Sequence, residues 1–201
     1  MSDYWNSLSG NAPVPGTTLN TPPLPQPTPS SAGGMPMDPN DRDMMIRTIA
    51  GEAGNQPPLG QAAVAHVIMN RVADGGYGDG VQGVLNAPVK PGSSYKQFSV
   101  WNAPGMQESS STARSLSPND PQYASIGNIV DKVHSGLIPD PTNGATHYYA
   151  PQSMQGGRPP PWAGPLAAQN KVKIGDQLFI GGSTGPGQSL PSQFSGGASS
   201  G

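Results

Sequence analysis

From residue 38 onward, helical periods alternate with Gly and Pro breaks. Asp38-Pro39-Asn40-Asp41 suits a helix start, because a short acceptor side chain precedes a proline that presets φ. Apolar residues at 45, 46, 49, 50 and 53 follow with helical spacing and stop at Gly54. Pro57-Pro58 interrupts the pattern, and residues 59, 63, 64, 67, 68 and 72 then mark a second helix of about four turns. Gly75-Gly76-Tyr77-Gly78-Asp79-Gly80 must be a loop, and Val81 to Leu85 reads as a short helix. No period is sustained from Ala87 to Pro118, so this stretch is a long loop, functional or floppy. A further helix is well signalled: Asn119 or Asp120 as N-cap, Pro121 in the first turn, and Ile126, Ile129, Val130, Val133 and Leu137 as its stripe.

Thr146 to Ala150 and Val172 to Ile180 read as two short strands, a β-hairpin joined by the Pro-rich 151–165 segment. The expected fold is therefore a mainly helical α+β domain over residues 40–180. Composition sets off the flanks. Residues 1–39 hold nine prolines, and residues 181–201 hold seven glycines and six serines. The first tail favours extended polyproline II around Thr21 to Pro29 and reads as a spacer; Tyr4, Trp5 and Leu8 offer an anchor to a partner, though an unanchored end is the preferred reading; the second is flexible.

Charge and residue usage remove several classes of function. Ten Lys and Arg against twelve Asp and Glu, with no basic run, argue against nucleic acid or an anionic membrane as partner. The absence of Cys excludes a disulfide framework, a thiolate zinc site and a cysteine nucleophile. His66, His134 and His147 lack the spacing of a metal site, so no metal or cofactor is expected. No apolar run approaches the roughly 20 residues of a membrane span. The first residues do not read as a secretory signal, so action outside the cytoplasm needs another carrier.

Only two acids are Glu, at 52 and 108. Glu52 lies near the end of the first helix, one position from the apolar stripe. A carboxylate among apolar neighbours has a raised pKa, which suits a general acid near neutral pH.

Five blocks carry a resemblance. They are Thr48-Ile49-Ala50-Gly51-Glu52-Ala53 with Pro57 and Gly60 to Val72; Gln97-Phe98-Ser99; Gly144-Ala145-Thr146-His147-Tyr148-Tyr149; Pro161-Trp162-Ala163; and Ile174-Gly175-Asp176-Gln177-Leu178-Phe179. Together, over roughly residues 41–180, the chain resembles the SleB/CwlJ-type cell-wall hydrolases. The resemblance implies a compact lysozyme-like domain, peptidoglycan as substrate and Glu52 as the catalytic acid. Where members of that family commonly read Gly-Glu-Ala-Arg-Gly-Glu-Pro, this chain has Gly51-Glu52-Ala53-Gly54-Asn55-Gln56-Pro57, without the Arg or the second acid.

A single acid suits a lytic transglycosylase, which cleaves between N-acetylmuramic acid and N-acetylglucosamine and closes a 1,6-anhydro ring. Hydrolysis by the usual two-carboxylate route would need a partner such as Asp74, Asp79 or Asp140. Gln97, Ser99 and Tyr148 carry neutral groups able to orient sugar amides and hydroxyls, and Trp101 can stack on a ring. Phe98 is expected in the core. His147 and Tyr148 face opposite sides of a strand, so one of them points into the cleft, Tyr148 by preference. These segments are expected to form one groove: the end of the first helix, the 95–101 loop and the 146–149 strand. Asn70 and Arg71 are expected to cap and pack the second helix. The competing reading is a structural protein of a phage particle that keeps the hydrolase fold, with residues 1–39 binding other particle proteins. A phage-borne or holin-released enzyme unites the two.

Residues 1–39 cannot build a core, so a chain beginning near Pro39 is expected to fold without them. Circular dichroism and thermal melting should show unchanged helicity and cooperativity; loss of the cooperative transition would mean that the tail packs on the domain.

Overall fold

The computed structural model describes residues 36–103, 111–154, 156 and 158–182; the expected tails at 1–35 and 183–201 lie outside the described residues. In chain order the elements are α1 (Pro39–Ala53), α2 (Pro58–Asp74), α3 (Gly80–Leu85), a 3₁₀ turn (Ser99–Trp101), α4 (Ser111–Arg114), α5 (Pro121–His134), β1 (His147–Tyr149), a second 3₁₀ turn (Pro151–Ser153), α6 (Ala163–Ala167), β2 (Lys171–Ile174) and β3 (Gln177–Ile180).

The three long helices start where the sequence says they should, and α1 and α2 also stop there. Asp38 caps α1, its Oδ1 accepting from the amides of Asn40 at 2.8 Å and Asp41 at 3.3 Å. A truncation that spares the domain must therefore keep Asp38. Asp120 caps α5 in the same way through the amide of Gln122, at 2.8 Å. α2 ends at Gly75, whose φ of 74° is the left-handed conformation that a glycine adopts without strain.

α2 is the axis of the fold. Every residue from Gly60 to Ile68 is buried, and α1, α3 and α5 pack against it. Met45, Ile46 and Ile49 of α1 meet Val64, Val67 and Ile68 of α2 and Ile126 and Val130 of α5 in one continuous core. On the outside, Arg42 of α1 holds Asp131 of α5 through two bonds of 2.7 and 2.9 Å.

The β region differs from the expected hairpin. Val172 to Ile180 is two strands, not one, because Gly175 (φ 57°) turns the chain back on itself. A Cβ at Gly175 would stand 2.5 Å from Oε1 of Gln56 and displace that side chain, so the requirement for glycine rests on the positive φ. The result is a three-stranded antiparallel sheet in the order β1-β3-β2, with Tyr148 opposite Phe179 and Ile174 opposite Gln177. Leu137 falls outside its expected stripe: α5 ends at His134 and Leu137 is 72% exposed. The long loop is also more ordered than its lack of period suggested. It contains a Pro88–Lys96 bridge, the first 3₁₀ turn and α4, while residues 104–110 lie outside the described set.

Two side-chain amides, buried Asn170 and half-buried Asn70, lock the loops that lead into the sheet. Asn170 donates to the carbonyls of Thr142, Asn143 and Gly181 at 2.7, 3.1 and 3.3 Å. Asn70 of α2 donates to Asp140 and to the carbonyl of Ala145, each at 3.0 Å. β1 is thereby fixed to α2 before its first residue.

Phe179 is fully buried and seats the sheet on the helices beneath Tyr148. Phe179→Ala should cost about 3–5 kcal/mol of stability, the range for removing a buried aromatic, read as a lower urea midpoint.

Candidate active site

Glu52 lies in the last turn of α1, a half-buried side chain over which segments far apart in sequence converge. The Ser99 hydroxyl, from the first 3₁₀ turn, donates to Glu52 Oε1 at 3.3 Å. The Tyr148 hydroxyl, from β1, donates to Oε2 at 3.1 Å. From β3, Gln177 Nε2 donates to the Glu52 main-chain carbonyl at 3.2 Å, and Gln122 Nε2 does the same for Gly54 at 3.1 Å. Two glutamines thus satisfy carbonyls that a helix end leaves open.

Burial pushes the Glu52 carboxyl above its ordinary range. The hydrogen bonds from Tyr148 and Ser99, and the more distant charge of Arg71, hold that rise in check. The negative end of the α1 dipole, with no basic residue in its last turn, favours the neutral acid as well. Both direct partners are neutral hydroxyls. They can bond either protonation state, so the group can give a proton and take it back. Tyr148 itself is pushed well above the usual phenol range, first by burial and then by the neighbouring Glu52 charge, and remains a donor at neutral pH.

The other expected site residues fall in three places. Gln97 does not bond Glu52: its Nε2 donates to the Pro88 carbonyl at 3.3 Å and clasps the base of the 88–96 loop. Trp101 directs its indole N–H to Thr48 Oγ1 at 2.8 Å and packs on the core, tying the 3₁₀ turn to α1. His147 lies on the opposite face of β1 from Tyr148, as strand alternation requires. Its Nδ1 is 3.0 Å from Thr146 Oγ1, and its ring lies between Tyr77 and Trp162, with centroids at 5.8 and 5.4 Å. Burial, and then the charge of Arg71, lower its pKa to about 4, so the imidazole is neutral at neutral pH.

None of the three candidate second acids bonds the Glu52 cluster. Asp140 is enclosed by Asn70, by the amide and hydroxyl of Thr142, and by the Gly144 amide, at 3.0, 2.7, 2.6 and 2.9 Å. Burial would raise its pKa, but these donors overcome it and hold the carboxylate below its usual range. Asp74 accepts from the Gly76 amide, and Asp79 precedes α3. Gln56 is likewise turned away from Glu52: its Oε1 accepts from the Asp176 amide at 3.3 Å, in the β2–β3 turn. A separate depression of about 120 Å³ over Ala50 and Gly51, lined also by Thr112, Ala113, Leu116 and Gln122, shares no residue that touches the Glu52 carboxylate. Among the described residues, no cluster of His, Asp and Glu is arranged to hold a metal ion.

Two residues of the site were given no site role by sequence reasoning. Gln177 stood only within the last of the five blocks. Arg71 was expected to cap and pack the second helix, and it stands three and four positions after Ile68 and Val67, on the apolar face of α2. It is only 6% exposed. Its Nε donates to the Thr146 carbonyl at 2.6 Å, and its guanidinium carbon lies 4.8 Å from the Tyr77 centroid and 5.0 Å from that of Phe98.

The site defines a class: an α+β domain with one desolvated glutamate at a helix end, served by neutral hydroxyl donors. The chain belongs to the cell wall hydrolase family, whose pattern matches residues 55–180, beginning three positions after Glu52. It is similar to the spore cortex-lytic enzymes of Halalkalibacterium halodurans and Oceanobacillus iheyensis, at 29% and 28% identity over 118 residues. Those matches take in 59% of this chain and 29% and 35% of the relatives, so the chain spans about a third of their length. Among solved structures, it is similar to the catalytic domain of the germination-specific lytic transglycosylase SleB from Bacillus anthracis: TM-score 0.52, 26% identity, 73% of this chain and 98% of that one. The catalytic domain of the Bacillus cereus SleB protein matches at TM-score 0.51 and 25% identity, over 75% and 96% of the two chains. The α+β fold expected from the sequence is the fold of these domains.

The raised Glu52 pKa has a consequence for stability. The folded state holds this proton more tightly than the unfolded chain, so the associated stability is present at low pH and is lost as pH rises through the folded pKa. Glu52→Gln keeps an acceptor for Tyr148 and Ser99 but carries no charge. It should melt at a higher temperature than the wild type at pH 7, with the difference vanishing toward pH 4; calorimetry across this range checks it.

Proposed function

We propose that the chain cleaves the glycan strand of peptidoglycan as a lytic transglycosylase, with Glu52 as its single acid and base. The observation that carries this reading is the pair of neutral donors on a desolvated carboxyl, with no second acid bonded to the cluster. Protonated Glu52 gives its proton to the oxygen bridging muramic acid C1 and the neighbouring glucosamine, and the C1–O bond breaks. The resulting carboxylate, held by Tyr148 and Ser99, takes the proton from the muramoyl C6 hydroxyl as O6 bonds to C1. The 1,6-anhydro product forms, Glu52 is protonated again, and no water is consumed. Fold and identity to the SleB catalytic domains support the reading.

Within this proposal, Ser99 and Tyr148 are the residues nearest the reacting atoms. Trp101 and Gln97 shape the wall of the groove, and His147 lies behind the strand. The Pro-rich 1–39 segment would serve as a spacer to a phage particle that carries the enzyme to the wall, a placement that fractionation of purified particles would test.

Glu52→Gln should lose on the order of 10²–10⁴ in rate while remaining folded. Mass spectrometry of digested walls should find anhydromuramic ends, one water lighter than reducing ends. Reducing ends carrying solvent ¹⁸O would overturn the transglycosylase in favour of hydrolysis. Free amino groups without glycan cleavage would overturn glycan cleavage itself.

A further inference from the structure

We propose that Arg71 is a positioning residue for the Glu52 acid: its guanidinium holds the Ser99 and Tyr148 segments against α2 while its fixed charge acts on the carboxyl they serve. The proposal rests on the reading of Glu52 as the acid. The geometry is specific. Arg71 stacks on Phe98, the residue before Ser99, and donates to the carbonyl of Thr146, two residues before Tyr148. Both hydroxyls that touch Glu52 are therefore delivered by segments seated on one side chain. The ring of Tyr77 also lies against the guanidinium, its centroid 4.8 Å from the guanidinium carbon.

A buried cation without a carboxylate partner is costly, and the two ion pairs among the described residues involve other arginines, Arg42 and Arg47. The ring faces of Tyr77 and Phe98 offset part of that cost through cation–π attraction. Had packing alone been needed, an apolar side chain would have filled the space at lower cost. Arginine keeps its charge when buried, so the field it applies is permanent.

The direction follows from the neighbours of Glu52. Arg71 from α2 and Tyr148 from β1 are the titratable groups that act on it. The 3₁₀ turn, α3 and β3 contribute no titratable side chain. On α1 and α5, Arg42 is tied to Asp131, and Asp43 to Arg47 and Tyr123; Arg114 of α4 bonds the Asn102 carbonyl, and Lys132 and His134 stand in the last turn of α5. Burial raises the Glu52 pKa and Arg71 opposes it. Removing the charge should therefore let Glu52 hold its proton to higher pH.

Glutamate occurs only at 52 and 108, so carboxyl-labelled [¹³C]glutamate gives two NMR titration curves, assigned with Glu52→Gln. In Arg71→Met, the Glu52 curve and the basic limb of peptidoglycan cleavage should both move to higher pH. Arg71→Lys keeps the charge and loses the planar fork. Its curve should stay near wild type while kcat falls roughly tenfold or more and KM changes little. An Arg71→Met curve that superimposes on wild type overturns the electrostatic role, and wild-type kcat in Arg71→Lys overturns the positioning role. Should Arg71→Met fail to fold by circular dichroism, Arg71→Gln takes its place for the titration curve, and the kcat of the lysine variant decides the positioning role. A wild-type chain that cleaves no glycan refutes the proposed function but leaves the NMR shift to be read on its own.

Discussion

In the proposed reaction the Glu52 carboxyl must be neutral at one moment and charged the next, a demand that a salt bridge cannot answer. A cation in contact with Glu52 would stabilise the carboxylate and leave no proton to donate; an apolar pocket alone would make the carboxylate too costly once formed. The structure stands between these limits. Hydroxyls of Ser99 and Tyr148 bond either form, and the positive charge of Arg71 is kept a shell away behind Phe98 and Thr146. Much of the rest of the fold reads as the means of holding those three groups at the end of α1.

The holding is done by hydrogen bonds to main chain more than by apolar contact. β1 has only three residues and sits at the sheet edge, which is too little to position a tyrosine unaided. Its approach is instead pinned by Asn70, Arg71 and Asn170, each donating to a carbonyl in the 142–146 segment, and by the donor-rich enclosure of Asp140. The one acidic group at that bend is thus consumed by turn geometry. Donors hold the Asp140 carboxyl below its usual range while burial lifts that of Glu52, so the two carboxyls sit in opposite environments and only Glu52 suits the proposed acid.

Local chemistry made α1, α2 and α5 legible in the sequence: a cap, a proline in the first turn, an apolar period and a terminator are all read from adjacent residues. Glu52 stood out locally only as a carboxyl beside a stripe; its expected role as the acid came from the family resemblance. What failed depended on contacts between distant segments. Gly175 divides one apparent strand into two, which the pairing of β2 with β3 reveals. Leu137 carries the helical spacing past the point where α5 stops, and periodicity does not record that the chain has turned at Gly136 (φ 72°). Gln97 and Ser99 are two residues apart in one motif, yet one clasps a loop and the other meets the acid, because the chain enters a 3₁₀ turn between them. Arg71 was visible as a charge on a buried stripe, but a sequence alone does not distinguish a snorkelling surface arginine from one sandwiched between rings.

Position 56 shows how the same segment can influence the acid without sharing its proton. The Gln56 carboxamide accepts from the Asp176 amide, at the turn whose next residue is Gln177. Gln177 in turn donates to the main-chain carbonyl of Glu52. A short circuit therefore runs from the end of α1, through Gln56 and the β2–β3 turn, back to the residue that carries the carboxyl. A carboxylate at 56 could accept the same amide proton, but it would add a negative charge to a helix end that already disfavours one. The neutral amide keeps the bond without the charge. A neutral residue at 56 thus leaves the support of Glu52 in place, and the proposed one-carboxyl mechanism asks nothing more of this position.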